Sequence, residues 1–311
     1  MELRKDYILD RYVIISEGRG KRPKQFKKEE VVKDEGTCFF CPGNENLTPP
    51  EIGRIEKNGK WKLRWFANKF AALSPEGNPV LKRDNTFYEH ASAYGYHEVV
   101  VETDDHKRQL AELSEEELEA VLNVYSMRIK ELEKKPNMQY VNVIKNNGLL
   151  GGTSIIHTHS QIFATAIIPP VILDEVMACR RFIYCPYCKI VEKEKNSDRR
   201  CFENEDWVAF APYASRYNYE ISIFPKAHIK RLEESNLKSL SFVLKKVLGK
   251  INELNCSYNY EIHYSPKGYD LHMHIEVYPQ IAIFGGFERG SGIIINSVSP
   301  EDAAKFYRGE L

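Results

Sequence analysis

Alternating apolar and polar residues mark four short strands, Tyr96–Val101, Tyr140–Ile144, Tyr219–Ile223 and Tyr260–Tyr264. Between the first two, Leu110, Leu118, Val121, Leu122, Ile129 and Leu132 return at the three-and-four spacing of a helix buried along one face, and Pro136 and Asn137 end it. Leu232, Leu240, Val243, Leu244, Ile251 and Leu254 draw the same stripe between the second two. Laying His106 on His228 superposes the stripes without a gap and brings Glu98 onto Glu220. Each half therefore reads strand, histidine, long helix, strand, loop and a His-x-His segment. That order predicts an α+β fold of two repeats, residues 1–175 and 176–311, each a mainly antiparallel sheet with a long helix packed across it.

Length and charge fit two such units. A chain of 311 residues has ample core for both, and its 44 basic and 44 acidic residues give no overall field to recruit nucleic acid or an anionic membrane. The longest apolar stretch, near Phe163 to Leu173, is broken by Pro169-Pro170 and is too short to cross a bilayer. Glu2, Arg4, Lys5, Asp6, Asp10 and Arg11 interrupt the first apolar positions, so no secretory leader is expected there and the cytosol is the expected compartment.

In that compartment seven cysteines argue for metal rather than disulfides. Cys38-x-x-Cys41 leads to His106 and His157, and Cys185-x-x-Cys188 leads to His228 and His272. Two thiolates and two imidazoles make a tetrahedral zinc set, and its recurrence in one order predicts two zinc sites per chain. With four protein ligands each, both would be structural. Cys179, Cys201 and Cys256 are read as packed thiols, and His90, His97 and His263 as structural. His274 is either an alternative ligand or a satisfied histidine.

Candidate chemistry concentrates in the run from Asn146 to Gln161. Gly148, Gly151 and Gly152 let backbone N–H groups approach an anion, and Thr153 and Ser154 add hydroxyl donors, as a phosphate cradle requires. In an extended segment His157, His159 and Gln161 share a face, placing a metal-held histidine beside His159. A neutral imidazole is a competent nucleophile toward phosphorus. Gln161 can donate a hydrogen bond to a phosphate oxygen but no proton, which suits a leaving group, such as a sugar phosphate, that departs as an anion.

This run is similar to the active-site signature of the galactose-1-phosphate uridylyltransferase family, a branch of the histidine triad superfamily that includes the ADP-glucose phosphorylases. The similarity covers nearly the whole chain. Arg19-Gly20-Lys21-Arg22-Pro23 resembles the family's Arg-Ala-Lys-Arg-Pro element, which implies phosphate contacts for Arg19 and Arg22. Asn68-Lys69-Phe70-Ala71-Ala72-Leu73 resembles a nucleoside-pocket segment, so Asn68 and Phe70 are expected to line that pocket, with Lys69 replacing the usual acid. From residue pattern alone Phe70 reads as core. Gly285-Gly286-Phe287-Glu288 sits where the uridylyltransferases carry a hexose-gripping segment and matches it at Gly286 and Glu288, which implies a substrate role for Glu288. Phe287 replaces its tyrosine and Ala282 its lysine, however, and the stretch looks more like the phosphorylase branch. The pattern alone reads as a glycine turn between strands.

The resemblance further implies that His159 is the nucleophile, Gln161 the transition-state donor, and Asn146 and Ser154 phosphate contacts, beside the Gly152 and Thr153 of the cradle read from the residues themselves. It implies two histidine-triad-like halves, the first catalytic and the second structural, in a homodimer. The leading expectation is a hexose-1-phosphate uridylyltransferase that uses UDP-glucose through a nucleotidyl-histidine, with ping-pong kinetics. An ADP-glucose phosphorylase is the rival, and a double zinc-ribbon module binding nucleic acid is the distant alternative, which a neutral chain does not favour.

Overall fold

The computed structural model describes residues 1–21 and 36–311, so Arg22 lies outside the described residues. Along the chain run β1 (Glu2–Lys5), β2 (Tyr12–Ile15), β3 (Glu51–Lys57), β4 (Lys60–Ala67), β5 (Lys82–Arg83), β6 (Glu89–His90) and β7 (Gly95–Val101). Then come α1 (Glu115–Leu132), β8 (Tyr140–Asn147), β9 (His159–Thr165), α2 (Pro170–Cys179), α3 (Pro186–Glu194), β10 (Arg200–Glu203), β11 (Trp207–Phe210) and β12 (Ile221–Pro225). The chain ends with α4 (Leu237–Glu253), β13 (Tyr258–His263), β14 (His274–Pro279), α5 (Gly286–Ser291), β15 (Ile294–Asn296) and α6 (Pro300–Arg308).

Both expected helices form, each starting later than its apolar stripe. Ser114 accepts a hydrogen bond from the Glu117 N–H while the Glu117 carboxylate returns to the Ser114 N–H, a capping box that fixes the start of α1. Leu110 is left in a separate 3-10 turn, Leu110–Glu112. Asn236 caps α4 through its side chain alone, accepting from the Ser239 N–H, with Leu232 in its own turn before it. Leu118, Val121, Leu122, Ile129 and Leu132 are each no more than 1% exposed, and burying each stabilises the fold by about 1.5–3 kcal/mol. The strand expected to begin at Tyr219 begins at Ile221, because Tyr219 sits at φ 61°, outside extended backbone.

The expected pair of sheets is one. Ten strands pair in the order β10-β11-β12-β14-β13-β8-β9-β7-β4-β3, antiparallel throughout. The central pairing of β8 with β13, from Ile144↔Glu261 to Asn147↔Tyr258, joins what the sequence offered as separate units. α1 and α4 cover one face and pack against each other. Strand alternation then divides β9: Ser160, Ile162 and Ala164 point toward the helices, and His159, Gln161 and Phe163 point to the other face. No helix among the described residues is long and apolar enough to cross a membrane.

Candidate active site and metal clusters

Cys38, Cys41, His106 and His157 converge with their ligand atoms within 4.8 Å of one another. The two thiols stand 3.6 Å from His157 Nδ1, and Cys41 Sγ stands 3.3 Å from His106 Nδ1. An S–N edge of a tetrahedron around zinc is about 3.5 Å, from the usual bond lengths, so this donor set fits that ion. His157 donates its Nε2 proton to the Thr103 carbonyl at 2.8 Å, which turns Nδ1 toward the cluster. The fully buried Arg64 guanidinium donates to the Phe39 and Phe40 carbonyls inside the Cys-x-x-Cys turn, stabilising it. Beneath the turn Phe40, Trp61, Phe66, Val99 and Val101 form a small second core. The cluster thereby ties the turn before β3 to the end of β7 and the start of β9.

Two residues on, His159 opens β9 with its ring edge-on to Phe40 at 5.1 Å. Its Nδ1 lies 2.9 Å from the His157 carbonyl, which can only accept, so the proton sits on Nδ1 and the Nε2 lone pair is left for chemistry. Burial, reinforced by the Lys145 charge, lowers the His159 pKa to about 4, which keeps the ring neutral at pH 7. From the helix side, the Lys145 ammonium donates to the His159 carbonyl at 2.8 Å and pairs with the buried Glu102 carboxylate. Glu102 also accepts from Thr158, Ser160 and Tyr125 hydroxyls, so the segment bearing His159 is anchored from beneath.

Gln161 shares His159's face of β9, and its Oε1 lies 2.8 Å from His97 Nε2. The glycine loop closes beside them. Asn146 accepts through Oδ1 from Asn259, which leaves its amide nitrogen turned toward Gly152. A Cβ on Gly151 would come within 2.3 Å of the Asn147 carbonyl oxygen, and Gly152 holds φ 84°, so both positions require glycine. Thr153 donates its hydroxyl proton to the Asn146 carbonyl at 2.6 Å and thus shapes the loop, whereas Ser154 and Gly152 are exposed.

The remaining expected residues are spread more widely. Arg19 is exposed in a short 3-10 turn, Glu17–Lys21. Asn68 reaches His97 at 3.1 Å. Phe70, which reads as core from pattern alone, is 85% exposed because β4 ends at Ala67 and Phe66 takes the core position instead. Glu288 accepts from the Gly285 N–H and starts α5, so the expected glycine turn is the first turn of a helix.

Cys185, Cys188, His228 and His272 converge as the first set does, with Cys188 Sγ 3.3 and 3.4 Å from the two Nδ1 atoms. His272 donates Nε2–H to the Pro225 carbonyl, and His228 bonds Asp270. Burial and the neighbouring Cys185 thiol push Cys188 up to about 12; a bound cation reverses that cost by holding the thiolate. His274 then repeats the geometry of His159, with Nδ1 on the His272 carbonyl at 3.0 Å. Its ring, however, is stacked on Phe224 and walled by Tyr187, so it is sealed. A third group, Glu175, His263, His274 and Glu276, also brings potential metal donors within 4.8 Å. Its oxygen and nitrogen donors make it harder than the two sulfur-bearing sets. His274 thus lies outside both Cys/His clusters, and His263 is ion-paired with Glu175 at 3.0 Å.

Residues 1–169 match the family described as galactose-1-phosphate uridyl transferase, N-terminal domain. The ADP-glucose phosphorylase of Arabidopsis thaliana is 33% identical over 99% of this chain and 92% of that protein. The chain belongs to the galactose-1-phosphate uridyl transferase family. It is an enzyme of the uridylyltransferase type. The galactose-1-phosphate uridylyltransferase of Thermotoga maritima is 28% identical over 99% of this enzyme and 98% of its own length. Among solved structures, the Arabidopsis ADP-glucose phosphorylase with bound ADP-glucose superposes with a TM-score of 0.85 at 32% identity, covering 99% of this chain and 98% of that one. A uridylyltransferase structure gives 0.78 at 26% identity, covering 99% and 98%.

Several residues of the candidate site escaped sequence reading. His97 touches Gln161, Lys145 and Glu102 brace His159, and Asn259 orients Asn146. Alternation along Tyr96–Val101 puts His97 on one face with Val99, but only the pairing of β7 with β9 reveals that this is the face of Gln161.

Proposed function

We propose that the enzyme exchanges a nucleoside monophosphate between a nucleotide sugar and hexose 1-phosphate through a covalent nucleotidyl-His159. In the first half-reaction His159 Nε2 attacks the α-phosphorus. A P–N bond forms, the bond to the β-phosphate oxygen breaks, and hexose 1-phosphate departs with that electron pair. In the second, a phosphate oxygen of a new hexose 1-phosphate attacks the same phosphorus and the P–N bond breaks. The observation that carries this reading is the Nδ1 bond to the His157 carbonyl, which leaves a neutral, directed Nε2 beside Gln161.

Gln161, Ser154, the loop amides, the Asn146 amide, Arg19 and Arg22 would stabilise charge on the transferred phosphoryl group. Zinc in the two Cys/His clusters would supply rigid cross-links, the first holding His157 and through it the carbonyl that orients His159. The reading takes residues 1–175 as a catalytic and 176–311 as a structural histidine-triad-like half, in keeping with His159 at 7% exposure and His274 at 1%, its ring stacked on Phe224. It includes a cytosolic homodimer acting on small molecules, with neither nucleic acid nor membrane as partner.

UDP-glucose is the expected donor. The relationship to an ADP-glucose phosphorylase favours a second reading, adenylyl transfer from ADP-glucose to inorganic phosphate. Intact mass after brief mixing with each nucleotide sugar separates them: the adduct is uridylyl in one case and adenylyl in the other. The adduct is expected on the unmodified chain and not on His159→Ala. An unlabelled chain that turns over substrate, or a labelled His159→Ala, would overturn the covalent route.

A further inference from the structure

We propose that His97 is a positioning residue that decides which way the Gln161 carboxamide faces; the inference rests on the role given to Gln161 above. A carboxamide is nearly the same shape in either orientation, yet one presents N–H donors to an anionic phosphate and the other presents a lone pair. Shape cannot select between them, so a hydrogen-bond partner must.

His97 supplies that selection because its own tautomer is set by the backbone. The Ala72 N–H donates to His97 Nδ1 at 3.2 Å, and a backbone N–H has no second orientation. Nδ1 therefore carries the lone pair and Nε2 the proton. Nε2 lies 2.8 Å from Gln161 Oε1, which fixes the glutamine oxygen inward and turns its NH2 group out to the face shared with His159. The Asn68 amide nitrogen is 3.1 Å from the same ring nitrogen, but its oxygen is taken by the Phe70 N–H, so Gln161 Oε1 is the acceptor for that proton. Stacking on Phe163 at 3.8 Å and 24°, with 7% exposure, holds the ring in place. Burial also lowers the His97 pKa, which preserves the neutral form the Ala72 bond requires. The chain of control thus runs from backbone amide to imidazole to carboxamide to phosphate.

The test is a double-mutant cycle on the full-length, metal-loaded enzyme, reading kcat and KM for nucleotidyl exchange. His97→Phe keeps the stacked ring but removes the donor, and His97→Gln restores an N–H at about the Nε2 position. The expected result is a fall of about tenfold in kcat for His97→Phe with KM within about twofold, the effect of losing one orienting hydrogen bond, and recovery of most of it in His97→Gln. In a Gln161→Ala background His97→Phe should cost nothing more. The same tenfold loss in that background would mark His97 as merely structural and overturn the proposal, as would a fully active His97→Phe beside an impaired Gln161→Ala. A fully active Gln161→Ala would instead remove the role of Gln161, and this inference with it. If phenylalanine disturbs folding, the histidine 15N spectrum of the unmodified enzyme decides: a His97 proton on Nε2 supports the proposal, and one on Nδ1 overturns it.

Discussion

At the scale of single residues the site depends on a charge pair that faces away from it. Lys145 is 1% exposed and Glu102 2%, and together they hold the His159 carbonyl and the Thr158 and Ser160 hydroxyls from the helix side of the sheet. Truncating one member leaves the other charge buried alone, which costs about 3–5 kcal/mol, whereas removing both costs far less. Lys145→Met should therefore lower the urea midpoint by an amount equivalent to about that range, and Lys145→Met with Glu102→Gln should recover much of it. Activity should stay low in both variants, because the donor to the His159 carbonyl is missing in each. A Lys145→Met enzyme with unchanged midpoint would show that the pair does not carry its charges in the fold. The candidate nucleophile His159 and its neighbour His157 in the Cys/His cluster were legible from spacing because His-x-His is local. Lys145 was not, since nothing in a strand of alternating residues announces that one inward position holds an ammonium.

At the scale of elements, the helix caps explain both what pattern predicts well and where it slips. The apolar stripe located α1 and α4, but the stripe continues through Leu110 and Leu232, while the chain starts each helix at Ser114 and Asn236, where a side chain can take up free N–H groups. Glu117 carries an extra load in this box. Hydrogen bonds from Arg108, chiefly, and from the Ser114 N–H hold its carboxyl at about 2, below the ordinary 4.5. Because the folded value is depressed, the contribution is complete above pH 4.5 and is lost as pH falls from there toward 2. With 41% of the side chain exposed, solvent screening limits it to about 1 kcal/mol. Glu117→Gln should thus be less stable than the unmodified enzyme by about that amount at neutral pH, with the gap narrowing below pH 4.5 and closing only as pH falls to about 2 in urea titrations. A gap that stays constant with pH would assign the cost to lost packing rather than to charge. Strand boundaries slipped for a related reason: Tyr219 has a strand-like neighbourhood in sequence but a positive φ, set by its place before β12.

At the scale of the whole molecule, the two sequence units share so much that they should not fold apart. Pattern showed each unit's strands and helix, but a pairing between β8 and β13 leaves no mark in either sequence alone, because any edge strand alternates in the same way. The join is then reinforced throughout the core. Tyr125 of α1 bonds Tyr260 of β13 at 2.9 Å, and the Tyr140 and Tyr264 rings stack at 4.6 Å while each hydroxyl bonds across the seam. Glu175, which ends the first unit, is buried against His263 of the second. Separating 1–175 from 176–311 would expose the unpaired edges of β8 and β13, uncover facing sides of α1 and α4, and leave the Glu175 carboxylate without its partner. The intact enzyme should therefore melt in one transition, with calorimetric and van't Hoff enthalpies that agree. Either fragment alone should lack near-ultraviolet circular dichroism and aggregate, and mixing both during refolding should restore some transferase activity. Two resolved transitions in the intact chain, or a fragment 1–175 that melts cooperatively by itself, would mean that the sheet is two bodies in contact rather than one.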